Sequence, residues 1–487
     1  MLEELLSIIS FPLSTADKEL IERAYLFSEE KHKGQKRNSG EPYLTHAVAV
    51  AKNCATLGMD TQTIVGALLH DVLEDTDTTE EEVGEKFGEN ILFLVKGVTK
   101  LGKLKYQGRE RHVESLRKFF IAMAEDLRVL IIKLADRLHN VQTLEHVQPE
   151  KRKRIALETI EVHAALAGRL GMEQLKGMLE DYSFPYAYEA DYSKTKKIMA
   201  DLVPETQKVI EHAHQVVEKT LADFKVKNAI VQSRIKHTYS TYQKLLKYKW
   251  NTEQIYDIVA LRVLTSSISD CYQILGLVHM LWKPIPKRIK DFIALPKPNG
   301  YQSLHTTVIT EHGVVEMQIR TEEMHREAEM GVASHFLYKE TPEGTMAKKV
   351  NKKLNWLDEL KDLHTVVKNP SRFLEQLHMD FFKNRIFVFS PKGDVIDLPE
   401  GASPIDFAYA IHSDIGQYTS AARVNGKMIS IGDTLHNGDI VEIITSKNSK
   451  PSSKWLDYAK TNGARRKIRA YVAEHGGIFD KFLIKRN

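Results

Sequence analysis

His70 and Asp71 stand side by side in GALLHDVLEDT (Gly66–Thr76), and two further acids, Glu74 and Asp75, follow at once. On a helix, residues four apart share a face, so His70 is expected over Glu74 and Asp71 over Asp75. A His-Asp pair alone is common and carries little. This one has company: His46 upstream in PYLTHAVAVA and Asp136 downstream in IIKLADRLHN. Two imidazoles and two carboxylates make a mixed nitrogen/oxygen site for a divalent transition ion, better suited to Mn²⁺ than to Ca²⁺. With Glu74 and Asp75 as acid–base groups beside it, the pattern is that of a phosphohydrolase. Asn140 and Thr143 follow Asp136 at steps of four and three, on one helix face, where they can hydrogen-bond sugar or phosphate. The bland alternative pairs Asp136 with Arg137 or Lys133 on a wet surface. The apolar run around it argues otherwise, because an inward carboxylate needs a partner. His139 and His163 read as ordinary helix histidines. A basic loop, KHKGQKRNSGEPY, precedes His46 and offers Lys36 and Arg37 to a phosphate or a purine ring.

A second set of reactive groups lies beyond residue 230. Asp257 opens IYDIVALRVL, while Glu316 and Gln318 alternate on one face of VVEMQIR. Two acids on neighbouring strands suit Mg²⁺-dependent nucleotidyl or pyrophosphoryl transfer, one holding the ion and the other assisting it or deprotonating a hydroxyl. Around them Arg234, Lys236 and Lys244 come from SRIKHTYSTYQK, and Arg288, Lys290 and Lys297 from KRIKDFIALPKPNGYQS. These cations are spaced to meet a triphosphate, and Tyr301 to stack on a base. GVTKLGKL (Gly97–Leu104) looks like a phosphate-binding loop, but Leu104 replaces its final hydroxyl residue and no strand–loop–helix unit surrounds it. It is discarded.

The elements that must carry these groups change character along the chain. Residues 1–195 read as helical, with apolar groups at helical spacing through Ile21–Phe27, Ala47–Leu57, Ile64–Leu73, Val129–Leu144 and Ile155–Leu170. Pro204 suits the first turn of a helix Glu205–Phe224. From 196 to 340 an α/β domain is expected. Its strands are Ala229–Gln232, Ile258–Leu264, His305–Thr310 and Val314–Ile319, and its helices Tyr239–Tyr248 and Cys271–Trp282. Residues 341–383 read as a charged helical connector. A compact β-rich unit over 384–446 follows, with a helix Ser403–His412 and an Asn425-Gly426 hairpin turn, an order that suits a β-grasp. Residues 447–487 read as the start of another helical region, with Arg465, Arg466, Lys467 and Arg469 either facing RNA or simply solvated. The 487 residues are enough for several cores, and 69 basic against 65 acidic side chains give no bulk argument for nucleic acid. Two distant cysteines, Cys54 and Cys271, suit a reducing compartment, and no apolar run reaches the ~18 residues of a membrane span. The expectation is a soluble, cytoplasmic protein without a membrane partner.

The order H…HD…D resembles the HD superfamily of metal-dependent phosphohydrolases. GQKRNSGEPYLTH, HDVLEDT and KLADRLHN resemble the hydrolase domain of the RelA/SpoT homologues, which handle the alarmone (p)ppGpp. SRIKHTYSTYQK, YDIVALRV, RIKDFIALPKPNGYQSLHT and VEMQIRT resemble that family's synthetase domain, and AYAIHSDIG its TGS domain. The resemblance implies an all-α hydrolase domain, a nucleotidyltransferase-like α/β synthetase domain and a β-grasp, with further helical, zinc-binding and regulatory domains in long members. It implies Mn²⁺ on His46, His70, Asp71 and Asp136, with Arg37, Ser39, Asn140 and Thr143 on the substrate. For synthesis it implies transfer of the β,γ-pyrophosphate of ATP to the 3′-hydroxyl of GDP or GTP. Asp257 and Glu316 would serve Mg²⁺ and the hydroxyl, Arg234 would stack on adenine and Tyr301 on guanine. Asn299, His305 and Gln318 would touch the acceptor. Arg288, Lys290 and Asp291 match the basic R-x-K-D form that accompanies bifunctional members, whereas Asn38 stands where the family often has a basic residue. His412 would meet uncharged tRNA on the ribosome; the alternative is that it merely caps its helix. Two functions are open: a bifunctional enzyme of the stringent response, or a ribosome- and tRNA-binding starvation sensor with one competent catalytic domain.

Overall fold

The computed structural model describes residues 1–102, 126–252, 255, 257–286, 288–297, 299–336, 385–436 and 438–475. The expected connector at 341–383 therefore lies outside the described residues. The chain divides into two compact units, Met1–Thr365 and Val366–Asn487.

The first unit begins with helices, as the 3.6-residue apolar period requires. These are α1 (Leu2–Ile8), α2 (Thr15–Lys31), α3 (Leu44–Thr56), α4 (Thr61–Leu68), α5 (Val72–Asp75), α6 (Glu80–Phe87), α7 (Glu89–Gly102) and α8 (Leu127–Gln142). Helix α2 starts at a capping box in which Ser14 and Asp17 satisfy each other's backbone N–H groups. Gly97–Gly102 of the discarded loop motif is helical within α7; Lys103 and Leu104 lie outside the described residues.

Helix α9 (Pro149–Glu158) opens into a π-helical turn, Thr159–Ala164, before α10 (Ala165–Arg169) and α11 (Glu173–Ala187). The expected single helix Ile155–Leu170 is thus interrupted. Buried in the π turn, His163 has its pKa pushed down to about 3, first by desolvation and then by nearby Arg137. Its ordinary value is 6.5, so below that pH the unfolded chain binds a proton that the folded chain refuses. Folding should therefore weaken by about 1.4 kcal/mol per pH unit as pH falls through that window. Denaturant unfolding of His163→Leu at pH 7 and pH 5.5 should show a smaller acid loss than the parent; equal losses would reject this account.

Helix α12 (Glu189–Asp223) corrects the sequence reading. It is one 35-residue helix with Pro204 inside it, not a helix beginning at Pro204. The ring removes one backbone donor, a loss that the packing of Ile210, Ala213, Val217 and Leu221 into the next core outweighs. The expected boundary at 195/196 falls inside this helix.

Beyond it lies a mixed sheet, β1 (Ile230–Ile235), β2 (Val259–Thr265), β3 (Lys283–Pro284), β4 (Lys290–Asp291), β5 (Leu304–Thr310) and β6 (Gly313–Thr321), ordered β1-β2-β6-β5-β3 with β4 also on β5. Among the described strands of this sheet, only the β2–β6 pair is parallel. Helices α13 (Thr238–Lys247), α14 (Ile268–Leu281) and α15 (Glu322–Met330) complete it. One sheet face presents Val231, Leu261, Val263, Met317 and Ile319 to an apolar core shared with α12 and α14. The pleat turns the alternate residues to the other face.

The second unit contains β7 (Arg385–Phe389), β8 (Val395–Pro399), β9 (Thr419–Val424), β10 (Lys427–Ile429) and β11 (Val441–Thr445), with α16 (Pro404–Ile411) and α17 (Ser413–Gln417). The hairpin β7–β8 joins the sheet β10-β9-β11 through a parallel bridge, Phe389–Ile440. Asn425 and Gly426 both have positive φ, as the tight β9–β10 turn demands. Helices α18 (Trp455–Tyr458) and α19 (Asn462–His475) pack on α16 through Ile405, Tyr409, Trp455 and Ile468. No helix among the described residues is long and apolar enough to cross a membrane.

Candidate functional site

Two helices and a turn bring the first cluster together. His46 comes from α3, His70 and Asp71 from the turn between α4 and α5, and Asp136 from α8. The expectation that His70 lies over Glu74 on a continuous helix is overturned: α4 ends at Leu68, Leu69 caps it, and His70 and Asp71 occupy a turn. His70 Nδ1 donates to the Ala67 carbonyl at 2.8 Å, capping a carbonyl that the broken helix leaves free. On a helix two consecutive side chains would diverge; in this turn His70 Nε2 and Asp71 Oδ2 converge to 2.9 Å. His46 Nε2 lies 3.3 Å from Asp136 Oδ1 and 3.6 Å from Asp71 Oδ2.

Donor atoms of His46, His70 and Asp136 all lie within 4.8 Å of one another, and the three residues are buried. His70 Nε2 is buried without hydrogen-bond geometry to any partner, although the Asp71 carboxylate is close. Burial alone would depress the His70 pKa, yet Asp71 and Asp136 raise it to about 8. Burial opposes ionisation of Asp136 too, but Lys133 and the imidazoles hold it well below the carboxylate range. An anionic nest with an unsatisfied imidazole nitrogen fits a divalent cation.

The surrounding groups fall into place unevenly. The Tyr43 hydroxyl contacts Asp71 Oδ2 at 2.6 Å and Asp75 Oδ2 at 2.9 Å. Glu74 is half-buried, with its pKa raised by desolvation and by Asp71. Arg37 Nη2 donates to Asn140 Oδ1 at 2.8 Å and Thr143 Oγ1 at 3.5 Å, so three of the expected substrate residues meet. Ser39 does not join them; its hydroxyl turns to Glu41 at 3.3 Å. Asp136 does pair with Lys133, at 2.8 Å, but it is buried rather than wet. The reading of His139 as an ordinary helix histidine also needs correction. Its Nδ1 lies 2.8 Å from His46 Nδ1, and burial and His46 lower its pKa to about 4.

The second cluster occupies the polar sheet face. Register places Lys290 opposite His305, His305 opposite Gln318, and Gln318 beside Arg262, a row across four strands. Asp257 precedes β2, and its Oδ2 receives Lys236 Nζ at 2.6 Å and also Lys244 Nζ. Those ammoniums overcome burial and lower its pKa. Burial and then Asp257 raise the pKa of Glu316. Tyr301 packs at the row's edge, its hydroxyl 2.7 Å from His305 Nε2, with the Lys297 ammonium 4.6 Å from its ring centre. Burial and then Lys297 push His305 down to about 3, so its ring is neutral. Asn299 Oδ1 accepts from Tyr301 N at 3.2 Å, bracing the Pro/Gly loop. The Gln318 side-chain oxygen is buried without a partner. Arg234 lies on β1, and Arg288 just before β4.

Arg262 and Arg320, on the same face, were not picked out from the sequence. They are 7% and 1% exposed and reach one carboxylate oxygen of Glu329 at 3.2 and 3.1 Å. Neither Nε atom has a partner. The signal was available: both sit at polar-face positions of alternating strands, VALRVL and VEMQIRT.

Residues 24–173 match the HD domain model, 233–343 the region found in RelA/SpoT proteins, and 386–445 the TGS domain. The chain is 45% identical over 463 residues to a Myxococcus xanthus GTP pyrophosphokinase, covering 94% of this chain and 61% of that protein. It is 41% identical over 471 residues to the bifunctional (p)ppGpp synthase/hydrolase SpoT of Escherichia coli K12, covering 96% and 67%. The chain belongs to the RelA/SpoT family. An Aquifex aeolicus guanosine-3′,5′-bis(diphosphate) 3′-pyrophosphohydrolase is 45% identical, with 93% and 64% covered. This RelA/SpoT chain spans about three fifths of the length of the first of these curated relatives. Its three modules are thus a helical HD domain, the RelA/SpoT α/β domain and a TGS β-grasp. In the TGS module, His412 ends α16 and its Nδ1 accepts the Asp414 N–H at 3.2 Å, capping the start of α17. The ring is otherwise exposed, so capping leaves its edge open to a partner.

Proposed function

We propose that the chain is a bifunctional alarmone enzyme of the stringent response, acting in the cytoplasm. At the sheet site it transfers pyrophosphate from ATP to the 3′-hydroxyl of GDP or GTP, releasing AMP; at the helical site it hydrolyses (p)ppGpp to GDP or GTP and pyrophosphate. One observation carries the reading: a converging His/Asp cluster, and the acids Asp257 and Glu316 beside Lys236 and Lys244, lie in one unit.

For synthesis, Lys236, Lys244, Arg288, Lys290 and Lys297 are the groups to hold the triphosphate, with Arg234 and Tyr301 against the two bases and Asn299, His305 and Gln318 on the acceptor. Bound Mg²⁺, on Asp257 and Glu316, would neutralise charge developing on the phosphoryl oxygens. Glu316, with its raised pKa, is suited to take the hydroxyl proton. For hydrolysis, Mn²⁺ on His46, His70, Asp71 and Asp136 would activate water. Glu74 and Asp75 would orient the water and accept its proton, Tyr43 contacts both Asp71 and Asp75, and Arg37, already held by Asn140 and Thr143, would meet the phosphate. The exposed His412 supports a TGS partner such as uncharged tRNA on the ribosome.

Thin-layer separation of labelled nucleotides tests the proposal. The chain should make ppGpp from ATP plus GDP with Mg²⁺, and consume ppGpp with Mn²⁺. Failure of one reaction leaves a sensor with a single competent site; failure of both rejects the enzyme reading.

His139 provides a sharper test of the metal assignment. With Mn²⁺ on His46 Nε2, the His46 proton would sit on Nδ1, and neutral His139, whose Nδ1 is 2.8 Å away, would accept it. His139→Leu should lower calorimetric Mn²⁺ affinity about 10- to 100-fold. His139→Gln, which keeps an acceptor, should restore most of it. Unchanged affinity in the leucine variant would remove His139 from the site.

A further inference from the structure

Helix α13 carries Lys244, one of the two cations on Asp257; the other, Lys236, precedes the helix by two residues and has its own N–H held by the Ile258 carbonyl beside β2. Its own N-cap residue, His237, makes no side-chain capping bond. The cap comes instead from α11, in the helical domain. Asp181 Oδ1 accepts the Tyr239 N–H at 2.9 Å, and Asp181 Oδ2 lies 2.8 Å from His237 Nδ1. One turn later the Tyr242 hydroxyl donates to Asp191 Oδ2 of α12 at 2.8 Å. Phe184 of α11 fills the space between, with its ring centre 5.2 Å from Tyr239 and 4.8 Å from Tyr242. The approach is close enough to require glycine at 177, because a Cβ there would overlap the His237 ring.

An aspartate accepting from the first turn of a helix satisfies an orphan donor and complements the helix dipole. Ordinarily such a residue is local. Here it lies 58 residues upstream of the amide it caps, on an element that packs against the helical domain through α9 and the π turn.

We propose that Asp181 is a positioning residue for pyrophosphate transfer: it ties α13, and with it Lys244, to the geometry of the helical domain. This rests on the transfer reading above and names how the helical domain would regulate that site. A displacement of α11 relative to the sheet must either break the Asp181 bonds or carry the start of α13 with it. Either way the Lys244 ammonium shifts relative to Asp257 and to Lys236, which stays with the sheet. Small displacements of charged groups around a transferring phosphoryl group have large rate effects. Hydrolysis needs nothing from α13, so the tie acts on one chemistry alone.

The test uses the full chain with Asp181→Ala and Asp181→Asn. Alanine should reduce kcat for transfer about 10- to 100-fold, with hydrolysis of ppGpp within twofold of the parent. Asparagine keeps an oxygen for the Tyr239 amide and should recover most of the rate. Amide exchange at Tyr239–Thr241 should accelerate in the alanine variant alone. Full transfer by Asp181→Ala, or a parallel loss of both reactions in both variants, would overturn the proposal. A parent that makes no ppGpp would instead reject the transfer reading. In that case, faster exchange with weaker MgATP binding in Asp181→Ala would still support the tie, and no change in either would end it.

Discussion

Asp257→Ala is expected to lower the rate of pyrophosphate transfer by about a thousandfold or more, while nucleotide binding changes by less than tenfold. The acid has two jobs that alanine cannot do. Its Oδ2 is the shared partner of the Lys236 and Lys244 ammoniums, and it stands ready to carry Mg²⁺ at the place where phosphoryl charge develops. Binding survives because Arg234, Lys290 and Lys297 remain, together with the buried, partnerless Gln318 oxygen. Glu316→Gln should be equally damaging to kcat for a different reason. It keeps shape, hydrogen bonding and an oxygen for the metal, but loses the carboxylate of raised pKa that is suited to accept the hydroxyl proton. Initial rates of AMP release at several Mg²⁺ concentrations separate the two variants. The Glu316→Gln defect should persist at all concentrations, while the Asp257→Ala chain should also lose its Mg²⁺ dependence. Parent-rate synthesis by Asp257→Ala would remove that residue from the metal site.

The polar sheet face shows why so much of the second site was legible. Strand side chains alternate, so Glu316 and Gln318 had to share a face, and β-branched runs located β2, β5 and β6 to within about two residues. The same rule reaches Arg262 and Arg320; they were overlooked because single charges in apolar strands look like exceptions rather than members of a row. What no local rule supplies is partnership at long range. The Asp181–Tyr239 and His46–His139 contacts join residues 58 and 93 positions apart. The break at His70–Asp71 was equally invisible, since GALLHDVLEDT contains no internal proline or glycine after Gly66. It persists because a turn lets both heads converge, and His70 Nδ1 takes up the Ala67 carbonyl that the helix releases. Pro204 failed in the opposite sense: read as the start of a helix, it sits inside one, because an apolar stripe continues straight through it.

Removing His70 or Asp136 should abolish hydrolysis and Mn²⁺ binding together, and the choice of variant decides how cleanly this is seen. Asp136→Ala would leave the Lys133 ammonium without its 2.8 Å partner, and an uncompensated charge of that kind costs about 3–5 kcal/mol, enough to confuse unfolding with inactivity. Asp136→Asn keeps an oxygen for Lys133 and a similar volume, but gives up the negative charge that holds a cation. His70→Gln likewise preserves a polar head at the mouth of the turn while removing the unsatisfied Nε2. Both should lose at least about a thousandfold in ppGpp hydrolysis, the scale expected when a metal-activated water is lost. Calorimetric Mn²⁺ binding should disappear with it. Pyrophosphate transfer at the sheet site supplies the internal control, because none of the groups around Asp257 touches this cluster, and it should stay within about twofold of the parent. Thorough removal of metal from the parent must reproduce the hydrolytic defect, and added Mn²⁺ must reverse it. Full-rate hydrolysis by metal-free parent, or by His70→Gln, would mean that the convergent His/Asp cluster is a buried ion-pair network and not the hydrolytic centre.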